Sequence, residues 1–188
     1  KHHEGFSMYA TKVSDFNIVD ATPFKRDVFG ELVTACRRHG LKVGFYYSQN
    51  LDWHEEDGGD PEKGVLSKYP LNKGMHWGNS WDFPDYSKKD LSRYLKAKVY
   101  PQVRELLTNY GDIFLIWFDM PKGMTVEQSR ELREFVRSIQ PNTLVNSRIG
   151  NGLGDYASMG DNQVPGGKGS KIGSVGRAKA KLVTADKA

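Results

Sequence analysis

Several features that would narrow the class at once are missing from this sequence. Cys36 is the single cysteine among 188 residues, which excludes an internal disulfide and leaves the redox compartment open. No apolar run approaches the ~18–20 residues that a membrane-crossing helix needs, so no membrane partner is expected. A basic-then-apolar leader is missing as well. The chain opens on Lys1-His2-His3 without an initiator Met, which reads as the cut edge of a longer protein. Nor does a Gly-x-Gly-x-x-Gly follow any strand-like run, which removes the phosphate cradle of nucleotide-binding sheets.

An excess of basic charge is also missing from most of the chain, although the net charge is +4. Residues 168–188 carry six Lys/Arg against one acid, which leaves 21 basic and 22 acidic groups in the preceding 167 residues. The body therefore lacks the basic footprint that nucleic-acid backbones select, and no nucleic-acid partner is expected. Residues 1–165 are long enough for a domain with a real core. From Gly166 onward Gly, Ser, Lys and Ala dominate, so 166–188 is expected to be a poorly ordered tail with at most a weak helical tendency in Arg177–Ala188.

Helix and strand patterns alternate along the body. Val28, Leu32, Val33 and Cys36 make an apolar stripe that ends at His39-Gly40, an amphipathic helix with a glycine stop. Leu41 to Tyr47 reads as a short strand. Residues 48–86 show no periodicity and are rich in Gly, Asp, Asn, Trp and His, and a loop of that length in a compact domain is usually functional. Ser87, with Asp90 three residues on, opens a second helix running to Asn109. Ile113 to Phe118 is a continuous apolar run, as expected for a strand buried in a parallel sheet. Thr125 caps a third helix through Leu132, Phe135, Val136 and Ile139 that stops before Pro141, and Thr143 to Asn146 is the last strand.

Alternating βα units imply a parallel sheet with right-handed crossovers. A doubly wound sheet and a (β/α)8 barrel both fit this order. Polar and aromatic residues gather just after the strands, where barrels build their active sites. A full barrel needs roughly 250 residues, and about four of its eight units are legible, with His2-His3 at the end of the first strand. The expectation is an α/β, partial TIM-like barrel.

Asp119 is the strongest single candidate for chemistry. It follows a buried strand, directly after Trp117 and Phe118, where a carboxylate is costly unless partnered. Capping of the next turn is the bland alternative. Aromatic neighbours favour a sugar site, since glycoside hydrolysis needs carboxyl groups beside faces that stack on sugar C–H surfaces. Side chains alternate along a strand, so His2 and His3 are not expected to share a metal ion. They suit hydrogen bonding to sugar hydroxyls, or are one buried structural histidine and one exposed. Arg148 after the last strand can pair with Asp119, or is a surface arginine. Trp53 in the long loop is a candidate stacking platform, the acidic run Glu55-Glu56-Asp57 reads as a solvated edge, and Trp77 and Trp81 as staples of the loop.

Taken together, the segments resemble glycoside hydrolase family 29, the α-L-fucosidases. The resemblance is carried by Lys1-His2-His3-Glu4-Gly5-Phe6, Lys12-Val13-Ser14-Asp15-Phe16-Asn17 and Lys25-Arg26-Asp27-Val28. It continues through Gly44-Phe45-Tyr46-Tyr47-Ser48 with Leu51-Asp52-Trp53, then Ile116-Trp117-Phe118-Asp119 and Asn146-Ser147-Arg148-Ile149-Gly150. It spans about residues 1–165. The resemblance implies a retaining exo-glycosidase of barrel fold acting on terminal α-L-fucosyl linkages, with Asp119 as nucleophile. It places His2, His3, Tyr46, Trp117 and Arg148 in the fucose pocket and implies a fucosylated glycan as partner, no cofactor and no metal. Secreted, periplasmic or lysosomal localisation is a further implication, and oligomeric state is left open.

Two departures qualify that expectation. The family's further His and Glu lie upstream of the His-His motif, before this chain begins. Its acid/base is a Glu downstream of the nucleophile, often after a Trp, whereas Glu127, Glu131 and Glu134 all fall on the third helix. Asp155 and Asp161 lie in a loop able to approach the site, but no motif gives either the role. Where the Trp-Glu segment is expected the sequence reads Gly173 to Lys179. Either the chain is a truncated barrel, inactive or nearly so alone, or its acid/base comes from elsewhere. A barrel glycosidase for another sugar and a non-catalytic carbohydrate-binding remnant are the competing readings.

Overall fold

The computed structural model describes residues 1–59 and 78–158. Trp77, Asp161, the Gly173–Lys179 stretch and the tail 166–188 lie outside the described residues. Three strands, β1 (Gly44–Ser48), β2 (Leu115–Asp119) and β3 (Leu144–Val145), form a parallel sheet in that order. Gly44 pairs with Leu115 and Ser48 with Asp119, while Leu115 and Ile116 pair with Leu144 and Val145.

The first helix, α1 (Val28–Arg38), starts where Asp27 accepts a hydrogen bond from the Gly30 amide at 3.0 Å. It ends with the Gly40 amide on the Arg37 carbonyl and the Leu41 amide on the Cys36 carbonyl, with Gly40 at φ +67°. That is the glycine stop legible in the sequence, made with the left-handed residue it requires. Because Leu41 is used in this cap and is 60% exposed, the strand begins at Gly44 and not at Leu41. The expected stripe is corrected as well. Leu32 is 55% exposed, and α1 packs through Val33 and through Phe29, whose ring stacks on Phe45 at 4.8 Å. Leu32 lies about 100° round the helix from Val33, off the packed side.

Between β1 and β2 the chain forms α2 (Leu91–Tyr94), a π-helical turn (Leu95–Val99) and α3 (Tyr100–Thr108). Asp90, not Ser87, caps α2, accepting from the Arg93 amide, and Ser87 lies in a short 3₁₀ turn capped by Asp85. The short Asp90 side chain alone can reach the amides of the first turn that begins at Leu91. The π turn stands just before Pro101, which has no N–H to return to the preceding turn; a wider turn absorbs the missing bond. Helix α4 (Val126–Ile139) carries the capping box expected of Thr125, completed by Gln128.

The three helical segments bury into one continuous cluster with Phe45, Tyr47, Ile116, Phe118 and Val145. Strand side chains alternate, so these residues mark the helix-covered face, and Tyr46, Trp117 and Asp119 belong to the other. The result is one helical layer on one face of a parallel sheet, whereas a doubly wound sheet is covered on both. Residues 1–3 form no strand. The Lys1 carbonyl takes one hydrogen bond from the Ser48 amide, and one bond does not make a ladder. Three of the expected strands are therefore present among the described residues.

Candidate active site

The face turned away from the helices gathers most of the residues singled out above at its carboxyl edge. Asp119 ends β2 and is paired across the ladder with Ser48, while Trp117 is paired with Tyr46. One carboxylate oxygen of Asp119 accepts from the Tyr46 hydroxyl at 2.7 Å. The other accepts from Arg148 Nη1 at 2.9 Å and from the Met120 amide at 2.9 Å. Arg148 reaches it from the short turn Ser147–Ile149 that follows β3, and its guanidinium lies 5.9 Å from the centre of the Trp117 ring.

Burial pushes the Asp119 carboxyl up, but the Tyr46 and Arg148 hydrogen bonds, the Met120 amide and the Arg148 charge more than offset it, so its pKa lies below the usual carboxylate value. Asp119 is ionised at neutral pH and held by both oxygens. Met120, next in sequence, has φ +60° without being glycine. Such a conformation costs on the order of 1–3 kcal/mol and persists only where the surroundings impose it. The strained residue is the one whose amide donates to the carboxylate. Replacing Arg148 with Met is expected to raise the Asp119 pKa, read by ¹³C titration of the carboxyl. An unmoved pKa would leave Tyr46 and the Met120 amide as its holders.

The two histidines are not separated by strand alternation, because they lie outside any strand. Their rings stack at 3.9 Å, and the His2 ring is 5.5 Å from that of Tyr46. His3 is buried and its Nδ1 lies 2.9 Å from Ser48 Oγ. His2 is largely exposed, with Nδ1 3.0 Å from Glu4. Burial, then the neighbouring His2, lowers the His3 pKa to about 4, so its ring is neutral at physiological pH. The Trp53 amide donates to the His3 carbonyl at 2.8 Å, and its indole stands edge-on to His3 at 6.4 Å and to the exposed Trp81 at 5.7 Å. An aromatic file therefore runs from Tyr46 beside the carboxylate to Trp81 in solvent.

Sequence reasoning missed what supports this edge. Lys1 Nζ is fully buried, donates to the carbonyls of Ser48 and Leu51 at 2.6 and 3.0 Å, and lies 3.4 Å from Asp52. Asp52 is also fully buried and takes Lys98 Nζ at 2.9 Å and the Tyr94 hydroxyl at 3.0 Å. Gly5 passes so close that a β-carbon there would lie 2.2 Å from Asp52 Oδ1. In the acidic run only Glu56 is a solvated edge. Glu55 pairs with Lys98 at 2.8 Å and Asp57 with Arg93, so these two acids tie the loop to the helical segment that follows it. A Lys-Asp-Lys triad drawn from positions 1, 52 and 98 leaves no local sequence signal.

Among the described residues, the carboxylates after Asp119 are placed elsewhere. Asp155 is held by Arg133 at 2.8 Å, Arg137 at 2.7 Å and the Val145 amide at 2.8 Å. Those partners fix it against α4 and β3, so it does not approach Asp119. Glu127 pairs with Arg130, and Glu131 with Tyr100. Both, with the exposed Glu134, lie on α4, the helix-covered side.

Fold and site define a class first: a one-sided parallel α/β domain with an ionised, doubly anchored carboxylate among aromatic rings at the carboxyl edge of its strands. The alpha-L-fucosidase family model matches residues 1–171, and the chain belongs to that family of glycoside hydrolases. The alpha-L-fucosidase AlfC from Lactobacillus casei, solved in complex with its alpha-L-fucose product, is 48% identical with a TM-score of 0.78, over 88% of this chain and 51% of that one. The alpha-L-fucosidase of Vibrio sp. strain EJY3 is 36% identical with a TM-score of 0.70, over 84% of this chain and 26% of that one. Human tissue alpha-L-fucosidase is 44% identical across 120 residues, 63% of this chain and 20% of the relative. The chain thus spans about half the length of AlfC and about a fifth of the human relative.

Proposed function

We propose that this chain carries the nucleophile half of a retaining exo-α-L-fucosidase within an incomplete (β/α)8 barrel, and that it turns substrate over poorly on its own. The observation that carries the reading is Asp119, ionised and held from both oxygens by Tyr46 and Arg148. Support for fucose comes from the family and from one relative, AlfC, solved with α-L-fucose and, as a variant, with Fucα(1,6)GlcNAc.

In the reaction so proposed, an Asp119 oxygen attacks the anomeric carbon and forms a fucosyl ester. The anomeric carbon–oxygen bond to the aglycone breaks, and its electron pair leaves on the aglycone oxygen. A general acid protonates that oxygen, and water then cleaves the ester with the same group acting as base. Tyr46 and Arg148 aim the carboxylate and keep it ionised. His2, His3, Trp53 and Trp117 face the sugar as hydrogen-bonding and stacking groups. Among the described residues the carboxylates after Asp119 stand away from it, and general acid–base assistance contributes on the order of 10²–10⁴-fold. That gap supports weak turnover of substrates with poor leaving groups.

A fucose-configured iminosugar tests the sugar. Calorimetric titration is expected to show saturable one-to-one binding that a galactose-configured iminosugar fails to match. Equal or tighter binding of the latter would point to a barrel glycosidase for another sugar.

A further inference from the structure

Ser48, the last residue of β1, is completely buried. Its hydroxyl lies 2.9 Å from His3 Nδ1 and 3.1 Å from the Leu51 carbonyl oxygen. A serine hydroxyl has one proton to donate and lone pairs with which to accept, and the Leu51 oxygen can only accept. Were the proton aimed at His3, two oxygens would face each other at 3.1 Å in a buried site with no hydrogen between them. With the proton on the Leu51 side, both contacts are hydrogen bonds. His3 Nδ1 then carries the hydrogen that Ser48 accepts. Since the His3 ring is neutral, its Nε2 bears only a lone pair.

We infer that Ser48 is a positioning residue that holds His3 in the Nδ1–H tautomer, so that Nε2 receives a hydrogen bond from a hydroxyl of the bound pyranose. The ligand half of this inference rests on the fucose-pocket reading above. The surroundings leave the histidine little choice. The Leu51 carbonyl is fixed by Lys1 Nζ at 3.0 Å, and Lys1 by Asp52 at 3.4 Å. The His3 backbone is pinned through its carbonyl by the Trp53 amide. The buried charges behind the loop thus reach the pocket as one stereochemical instruction: at His3 the sugar gives the proton. Arg148 has the opposite polarity, since a guanidinium only donates. A ligand is then sorted by the direction of its hydroxyl protons as well as by shape, and an analogue with O-methyl in place of the hydroxyl at His3 cannot make the bond.

Nitrogen NMR on the chain labelled with ¹⁵N-histidine reads this without turnover, with His3→Gln assigning the signal. The expected native pattern is a pyrrole-type Nδ1 and a pyridine-type Nε2 at neutral pH. In Ser48→Ala the single tautomer is expected to give way to averaged positions, with fucose binding weakened roughly fivefold by loss of the preset ring. Added fucose is expected to move the native Nε2 signal upfield. A native Nε2–H pattern would overturn the inference, and this reading is independent of whether the variant folds. An unchanged tautomer in folded Ser48→Ala would remove Ser48 as its cause. A correct tautomer whose signals ignore saturating fucose would instead sink the sugar reading and leave the Ser48 lock standing.

Discussion

An activated 2-deoxy-2-fluoro fucosyl donor is expected to leave one covalent adduct on this chain, on Asp119, and Asp119→Ala is expected to slow labelling by about 10⁴-fold or more. Mass spectrometry with peptide mapping reads both. The donor suits a chain whose described residues hold no evident acid, because a good leaving group departs with little protonation. The reaction needs a carboxylate that is ionised and aimed. Asp119 is held below the ordinary carboxylate range by Tyr46, Arg148 and the Met120 amide, against the opposing effect of burial. Labelling at another carboxylate, or undiminished labelling of Asp119→Ala, would take the nucleophile's role from it. A folded chain that binds the iminosugar but never labels would be a carbohydrate-binding remnant.

The largest effect on stability is expected at Asp52. Its carboxylate is the shared counter-ion of two buried ammonium groups, Lys1 and Lys98. Removing one member of a buried ionic group costs about 3–5 kcal/mol, because Lys1 is left desolvated without its counter-ion and Lys98 keeps only Glu55. A domain of this size is stable by about 5–15 kcal/mol in all, so Asp52→Ala is expected to bring the chain close to unfolding at ambient temperature. Urea unfolding midpoints measure this. Asp52→Asn, which keeps the shape and removes the charge, is expected to lose most of the same amount. A loss below about 1 kcal/mol in both variants would show that solvent reaches the cluster.

The same carboxylate gives a pH signature. Burial raises the Asp52 pKa, but Lys1, Lys98 and Tyr94 lower it by more, and it lies below its ordinary value of 3.8. A carboxyl depressed on folding contributes stability that is complete above the unfolded pKa and is lost as pH falls through the folded one. The native chain is therefore expected to lose stability below about pH 4, and Asp52→Asn to lose less of it across that window.

How far the sequence reached can be judged element by element. Helix ends were legible where one residue type does one job: Gly40 stops α1 and Thr125 opens α4. The opening of α2 was misplaced, because Ser87 and Asp90 are both plausible caps and only the fold of the preceding turn decides between them. The apolar run of β2 was legible as a strand because six residues are too few for an ordinary helix, although only its helix-covered side is fully buried. The onset of β1 was not, since Leu41 and Val43 look like strand residues and the cap of α1 uses Leu41 first.

The sequence by itself determined the alternation of helices and strands, the one-sided charge of its tail and the gathering of polar and aromatic residues after the strands. Those are properties of neighbours in the chain, where periodicity and end signals act over a few residues. Only the tertiary structure decided that Tyr46 and Arg148 converge on opposite oxygens of Asp119, that Asp155 is turned to α4, and that Lys1, Asp52 and Lys98 form one buried group. Each joins residues tens of positions apart. The pairing is set by strand register and by the cost of leaving a buried charge alone, and neither quantity is written in any local run of residues.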